Sequence, residues 1–224
     1  DIVCQDDRNG YYFAHDIYQE WALDYQVEAI WDETKDIVTF IQKLGDSLSS
    51  VNAFKRWYRR KIENDDECVT LFTDAVFNGT ITAEKWQTAV FTEILRSKTY
   101  AKTFFAHNQE TLKANDFQWG RSLMRILPVN CKEVLTYVTY QGAQYPVMRP
   151  VGSGWDSTVD FIYHNHASLA PKEERVINSI LTDYPWIQDG DKATFHKAGL
   201  LALQPHVNAA AVRLKGEPCF FDKE

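Results

Sequence analysis

Between Tyr11 and Trp31 the chain reads YYFAHDIYQEWALDYQVEAIW, a short strand passing into a long helix that has two apolar faces. At about 100° per residue, Ile17, Tyr18, Trp21, Ala22, Tyr25 and Ala29 fall on one face. Leu23, Val27, Ile30 and Trp31 fall on a second, with Gln19, Glu20, Asp24, Gln26 and Glu28 in the gaps. A helix at the surface of a domain has one apolar stripe and one wet face. Two apolar faces need two bodies to bury them, so this segment is predicted to be a junction helix anchored by Ile17, Trp21, Leu23 and Val27. The chain starts at Asp1 without Met and only about a dozen residues before this helix. From this the sequence is expected to be a fragment excised from something longer.

Downstream, helical spacing dominates. Asp6–Gly10 has turn chemistry, and Tyr11–Phe13 reads as the last strand of a small β element. A helix opened by Thr34 or Asp36 runs to Leu44, with Gly45 in the C-terminal cap position. Ser49 or Ser50 is expected to cap a helix from Val51 to Glu63, and Cys68–Phe77 forms the next. Further helices are predicted after Thr82 and from Glu110 to Leu127, where Pro128 should end the second of them, with Thr99–Ala106 between them a short, aromatic-rich segment. After Lys132–Tyr140 comes one substantial loop, Gln141 to Gly154. Trp155–His166 and a segment from Ala170-Pro171 to Tyr184 read as separate helices, and a final helix is broken or kinked at Pro205. No β-branched alternation is read as a hairpin.

The predicted fold class is therefore all-α or mainly α. Helix pairs of about 40 residues would stack as in a short HEAT-like α-solenoid, with a small β remnant near the N-terminus. Three segments are expected: residues 1–31 (end of a β element and junction helix), 32–140 (first helical array) and 141–224 (second array after a Pro/Gly loop), the alternative being one continuous domain. The chain has 224 residues, 45% of them apolar, with seven Trp and thirteen Phe, enough to bury a large core. Cys4, Cys68, Cys131 and Cys219 are far apart and form no C-x-x-C pair, as expected of reduced thiols in a cytoplasmic protein. No apolar run reaches the roughly 18 residues of a membrane span, and no signal peptide is expected.

Three stretches invite a chemical reading. His15-Asp16 has the dyad of HD-type metal phosphohydrolases, but no His precedes His15 to complete such a site. The favoured reading is a polar pair at a helix N-terminus, with Asp16 well placed for the helix dipole. His164-Asn165-His166 has the letters of an HNH nuclease; such a site is assembled from separate elements, whereas here the tripeptide is expected to close a helix. An uncharacterised hydrolase built on these histidines is accordingly the least favoured reading. The segment from Lys55 to Lys61 places Lys55, Arg56, Arg59, Arg60 and Lys61 around Trp57 and Tyr58. Cations with interleaved aromatics can hold phosphates and stack a base. At helical spacing, however, Phe54, Trp57, Tyr58 and Ile62 make one inward face and the cations its wet side. The net charge of −7 also disfavours nucleic acid and anionic membrane as partners. Gly152-Ser153-Gly154 lacks the Lys-Ser/Thr of a phosphate-binding loop. No metal site and no catalytic set are assigned.

The segment Tyr12-Phe13-x-His15-Asp16-x-x-x-Glu20-Trp21-Ala22-Leu23 resembles one found in STAND-type signalling ATPases, relatives of the NACHT and AAA+ families. There the pattern resembles F-x-H-D-[IL]-x-x-[ED]-[WY]-A and lies where a winged-helix domain passes into a helical-repeat region. Phe54-Lys55-Arg56-Trp57 is similar to the F-R-x-W helix that follows in such proteins, and Leu123–Val134 has the character of a later repeat helix and loop. The match covers about a dozen residues. No Walker A, Walker B or sensor Arg is present, so no catalytic residue of the family carries over. The resemblance implies a non-catalytic regulatory, sensor or scaffold module of a larger cytoplasmic NTPase, coupling nucleotide state to recognition of a protein partner or ligand. The fragment itself needs no cofactor. ATP and Mg²⁺ are implied for the parent, where His15 would approach the nucleotide phosphates, and oligomerisation through the absent ATPase domain is implied with them. The alternative is a helical nucleic-acid-binding protein using Lys55–Lys61.

Overall fold

Short polar breaks separate the helices, and several carry the capping groups that set the helix limits. The computed structural model describes residues 3–5, 11–13, 16–187 and 190–216. Among these the fold is mainly α, with nine helices and two antiparallel ribbons. The chain divides into two compact units, Asp1–Ser97 and Lys98–Glu224. The expected junction at 31/32 falls inside the first helix, and that at 140/141 at the tip of a β-ribbon.

In the first unit, β1 (Val3–Gln5) pairs antiparallel with β2 (Tyr11–Phe13), Cys4 opposite Tyr12. The expected turn Asp6–Gly10 lies outside the described residues, as does His15. Five helices follow: α1 (Asp16–Thr34), α2 (Ile37–Leu44), α3 (Leu48–Glu63), α4 (Cys68–Phe77) and α5 (Glu84–Arg96). The Asp36 carboxylate accepts the Thr39 N–H at 2.8 Å to open α2, and Gly45 follows it with φ +73°. Helix α3 starts earlier than expected because Ser47, not Ser49 or Ser50, caps it, accepting the Ser50 N–H at 3.0 Å. α1 and α5 both pack on α3, while α2 packs on α1 and α4 on α3 and α5, as stacked helix pairs do. Trp31, Phe40, Phe54, Trp57 and Phe72 form the core, with ring centroids 5.3–6.2 Å apart in the contacting pairs. Tyr58 stacks on Phe54 at 5.4 Å and donates its hydroxyl to the Val69 carbonyl.

The second unit contains α6 (Tyr100–His107), α7 (Gln109–Asn130), β3 (Lys132–Tyr140), β4 (Ala143–Pro150), α8 (Gly154–Asp183), a 3₁₀ turn (Tyr184–Trp186) and α9 (Lys192–Gly216). Packing runs from α6 and α7 to α8 and from α8 to α9. The largest departure from expectation is the ribbon. The predicted loop from Gln141 to Gly154 is mostly β4, paired with β3 from Lys132↔Pro150 to Tyr140↔Ala143. Gln141 and Gly142, at φ +49° and +81°, make the two-residue turn. Pro146 misleads the sequence reading. Opposite Tyr137 it is tolerated because each strand of a two-stranded ribbon has a free edge. Trp155 Nε1 and the Val151 N–H both donate to the Cys131 carbonyl, tying the ribbon base to α8.

Proline also misplaces three helix limits. α7 passes Pro128 and ends at Asn130, α9 continues through Pro205, and in α8 the break between the two expected helices lies beyond Pro171. His164-Asn165-His166 therefore lies within a helix and does not close one. The distortion in α8 falls at Glu173, where φ is −125°. α7 has its own break, at Ala114–Phe117, where Asn115, Asp116 and Phe117 have φ of +49°, +58° and +60°. Asn and Asp tolerate that conformation, whereas a Phe rarely adopts it. The Phe117 ring meets Phe161, centroids 6.1 Å apart.

Candidate functional site

The two apolar faces of α1 have different environments. Val27, Ile30 and Trp31 are buried in the first unit, and Leu23 is half-buried. On the other face Trp21 is 60% exposed and Tyr25 79% exposed, with Ala22 and Ala29 open beside them. Tyr18 packs edge-on against Trp21 at 5.7 Å. Of the four predicted anchors, then, Val27 is buried and Trp21 is not. The side chain of Ile17 lies outside what is described.

The Lys55–Lys61 segment forms the strap between α3 and α1. Arg56 Nε and Arg60 Nη1 bind the two Asp24 oxygens at 2.9 and 2.8 Å, and Arg56 also lies 3.9 Å from Glu20. Trp57 Nε1 and Lys61 Nζ share the Glu28 carboxylate at 2.6 and 2.8 Å, and Lys61 reaches Asp66 at 3.2 Å. Arg59 Nε binds the buried Glu93 at 2.8 Å. Lys55 alone of the five cations makes no ion pair among the described residues. Trp57 and Tyr58 are fully buried, so neither ring is open to stack on a base. The arrangement argues against the nucleic-acid reading and gives the cations a structural partner set.

The histidine readings gain no geometry. His164 Nε2 lies 3.6 Å from Asp160, and among the described residues no three His, Cys, Asp or Glu side chains are grouped to hold a metal. Cys68 and Cys131 are buried and unbridged. Burial, then the Asp66 charge, pushes the Cys68 thiol up and away from reactive thiolate.

Two polar constellations in the second unit went unread in the sequence. In one, Glu173 on α8, with its side chain only 2% exposed, accepts from Arg121 Nε at 2.8 Å and from Arg125 Nε at 3.2 Å, both on α7. Burial pushes its carboxyl up, but the hydrogen bonds from the two guanidinium groups outweigh that and hold it below the ordinary carboxylate value. Asp116, at the break in α7, adds contacts to Lys172 (2.6 Å) and Arg121 (3.0 Å).

The other is a cavity of about 710 Å³ lined by α6, α8 and α9 with the start of α7. From α8 and the residue before it come Ser153, Asp156, Ser157, Asp160, Phe161 and His164, one face at i, i+3, i+4, i+7, i+8 and i+11. Facing them are Lys98, Lys102 and Phe105 around α6, Lys113 on α7, and Asp191, Thr194 and Lys197 at α9. Asp156 accepts from the Tyr184 hydroxyl and, at 3.2 Å, from the Asp191 N–H. Burial first, and the hydrogen bond to Asp156 second, push the Tyr184 hydroxyl up, so it stays a donor. Asp191 caps α9 through the Thr194 N–H and hydroxyl, both at 3.0 Å, and these bonds hold its carboxyl below the ordinary value, with the Lys102 charge adding to the effect. Asp160 is paired with Lys197.

No helix among the described residues is long and apolar enough to cross a membrane. Compared with known protein families and with characterised proteins, the chain finds no significant match in either.

Proposed function

We propose that the chain is a non-catalytic helical regulatory module of a larger STAND-like NTPase, with α1 as the link between a nucleotide-binding body and the helical arm. The observation that carries this is the pair of faces on α1: one sealed into the arm through Val27, Ile30 and Trp31, the other presenting Trp21 and Tyr25 to solvent. The strap from Arg56, Arg60, Trp57 and Lys61 to Asp24 and Glu28 further supports a lever. With so many bonds to α3, a displacement of α1 would carry α3 with it rather than bend the junction. In this reading the parent supplies ATP and Mg²⁺ chemistry, and the arm couples that state to a protein partner or ligand.

The reading separates the two faces of α1 experimentally. Trp21→Ala with Tyr25→Ala should leave the melting temperature of the 224-residue chain unchanged, yet abolish nucleotide-dependent signalling by the full-length protein. Val27→Ala should instead lower the stability of the chain by about 2 kcal/mol, as truncation of a fully buried aliphatic side chain does. Intact signalling in the Trp21/Tyr25 variant would remove the lever. So would an open reading frame with no phosphate-binding loop and Walker B acid upstream of Asp1.

A further inference from the structure

The unit-2 cavity has an uneven distribution of committed charge. Each of its three carboxylates already has protein partners: Asp156 has Tyr184 and the Asp191 N–H, Asp160 has Lys197, and Asp191 has Thr194. Three of its four lysines are less occupied. Among the described residues Lys98 and Lys102 form no direct ion pair, the Lys102 charge acting on Asp191 only from a distance, and Lys113 meets only Glu110, at 3.6 Å on the surface. An incoming ligand would therefore find ammonium donors still open to it, beside carboxylates whose acceptor oxygens are already engaged. No arginine lines the cavity. Lysines are compact point charges suited to a phosphate, whereas planar carboxylates are better matched by the guanidinium fork. Behind the lysines, Phe105 and Phe161 meet edge to face, centroids 5.8 Å apart, and give the cavity an apolar wall. The volume is in the range of small-molecule sites, about 300–1,000 Å³.

We propose that this cavity binds a phosphorylated ring compound of mononucleotide size, its phosphate on Lys98 and Lys102 with Lys113 near, and its ring against Phe105 and Phe161. This is a site distinct from α1 and independent of the lever reading, since its test does not involve Trp21 or the parent protein.

The test uses the 224-residue chain, with adenosine 5′-monophosphate and uridine 5′-monophosphate as probes, and adenosine and inorganic phosphate as the separated halves, read by calorimetric titration. At least one monophosphate should bind, more tightly than either half, with affinity falling as salt is raised. Lys98→Gln with Lys102→Gln should weaken that binding by about tenfold or more. Both lysines are exposed, so the melting temperature of the ligand-free variant should stay close to that of the parent chain. Lys172→Gln, which removes an exposed lysine outside the cavity, should leave binding unchanged. The proposal is overturned if neither monophosphate binds at about 10 mM, far weaker than ordinary ligand affinities. It is equally overturned if adenosine binds as tightly as the monophosphate, or if the double variant binds like the parent chain.

Discussion

Glu173 sits where a carboxylate is costly. It is buried between α7 and α8, and only the guanidinium groups of Arg121 and Arg125 offset the loss of its hydration. The partners are not equivalent in cost. Arg125 is 57% exposed and can return to water, so removing the acid strands little charge, whereas removing both arginines leaves a carboxylate in the interior. Arg121→Met with Arg125→Met should therefore destabilise the chain by about 3–5 kcal/mol at neutral pH, and Glu173→Met by much less. The pH dependence follows from the sign of the shift. With the arginines present, the folded-state value lies below the ordinary 4.5, so the contribution is complete above 4.5 and lost as pH falls through the depressed value. Without them burial acts alone, the folded-state value rises above 4.5, and the penalty shrinks as the solution is acidified from neutral towards it. Denaturant midpoints at several pH values should show the gap between parent and double variant narrowing on acidification. A constant gap would mean that Glu173 is not the group responsible.

At the scale of elements, the β3–β4 ribbon depends on two residues in the left-handed region. Gly142 occupies it without cost, but Gln141 at φ +49° pays for a side chain that crowds the backbone. Asn is the residue that such two-residue turns prefer at this position, so Gln141→Asn should stabilise the chain by about 0.5 kcal/mol, read as an upward shift of the denaturant midpoint. A downward shift would show that this turn geometry is not adopted. The ribbon also shows what the sequence could and could not reveal. The limits of α4 and the cap of α2 are readable because they are decided within one turn of chain, by Asp36, Gly45 and the Asn78-Gly79 stop. The ribbon is not, because Pro146 and Pro150 signal a loop unless the strand is known to have only one neighbour. Nor is the position of the break in α8, which passes Pro171 and kinks instead at Glu173, where the side chain bonds to a helix about fifty residues away.

For the molecule as a whole, the same logic separates what was readable of the sites from what was not. The amphipathic doubling of α1 is a property of consecutive residues and could be projected from them. The cavity is drawn from segments near Lys98, Lys113, Asp156 and Asp191, and no spacing rule joins positions so far apart. The basic segment is the intermediate case: its composition is conspicuous, but its meaning depends on Asp24, Glu28, Asp66 and Glu93, which the fold brings to it. That pairing decides how the chain should behave towards nucleic acid. Affinity for a phosphate backbone comes from cations that release counterions on contact, and a cation already held by a carboxylate must first give up that partner. Four of the five cations in Lys55–Lys61 are so held, both aromatics are buried, and the chain as a whole carries a net charge of −7. The chain should pass unretained through DNA and RNA columns at about 50 mM salt, where any phosphate contact is near its strongest. Charge reversal of the clasping acids offers the converse: Asp24→Lys with Glu28→Lys should release the α3 cations, add positive charge beside them and produce salt-sensitive retention. Retention of the unaltered chain at low salt, abolished by Arg56→Gln with Arg60→Gln, would restore the nucleic-acid reading and show the ion pairs to be readily exchanged for phosphate.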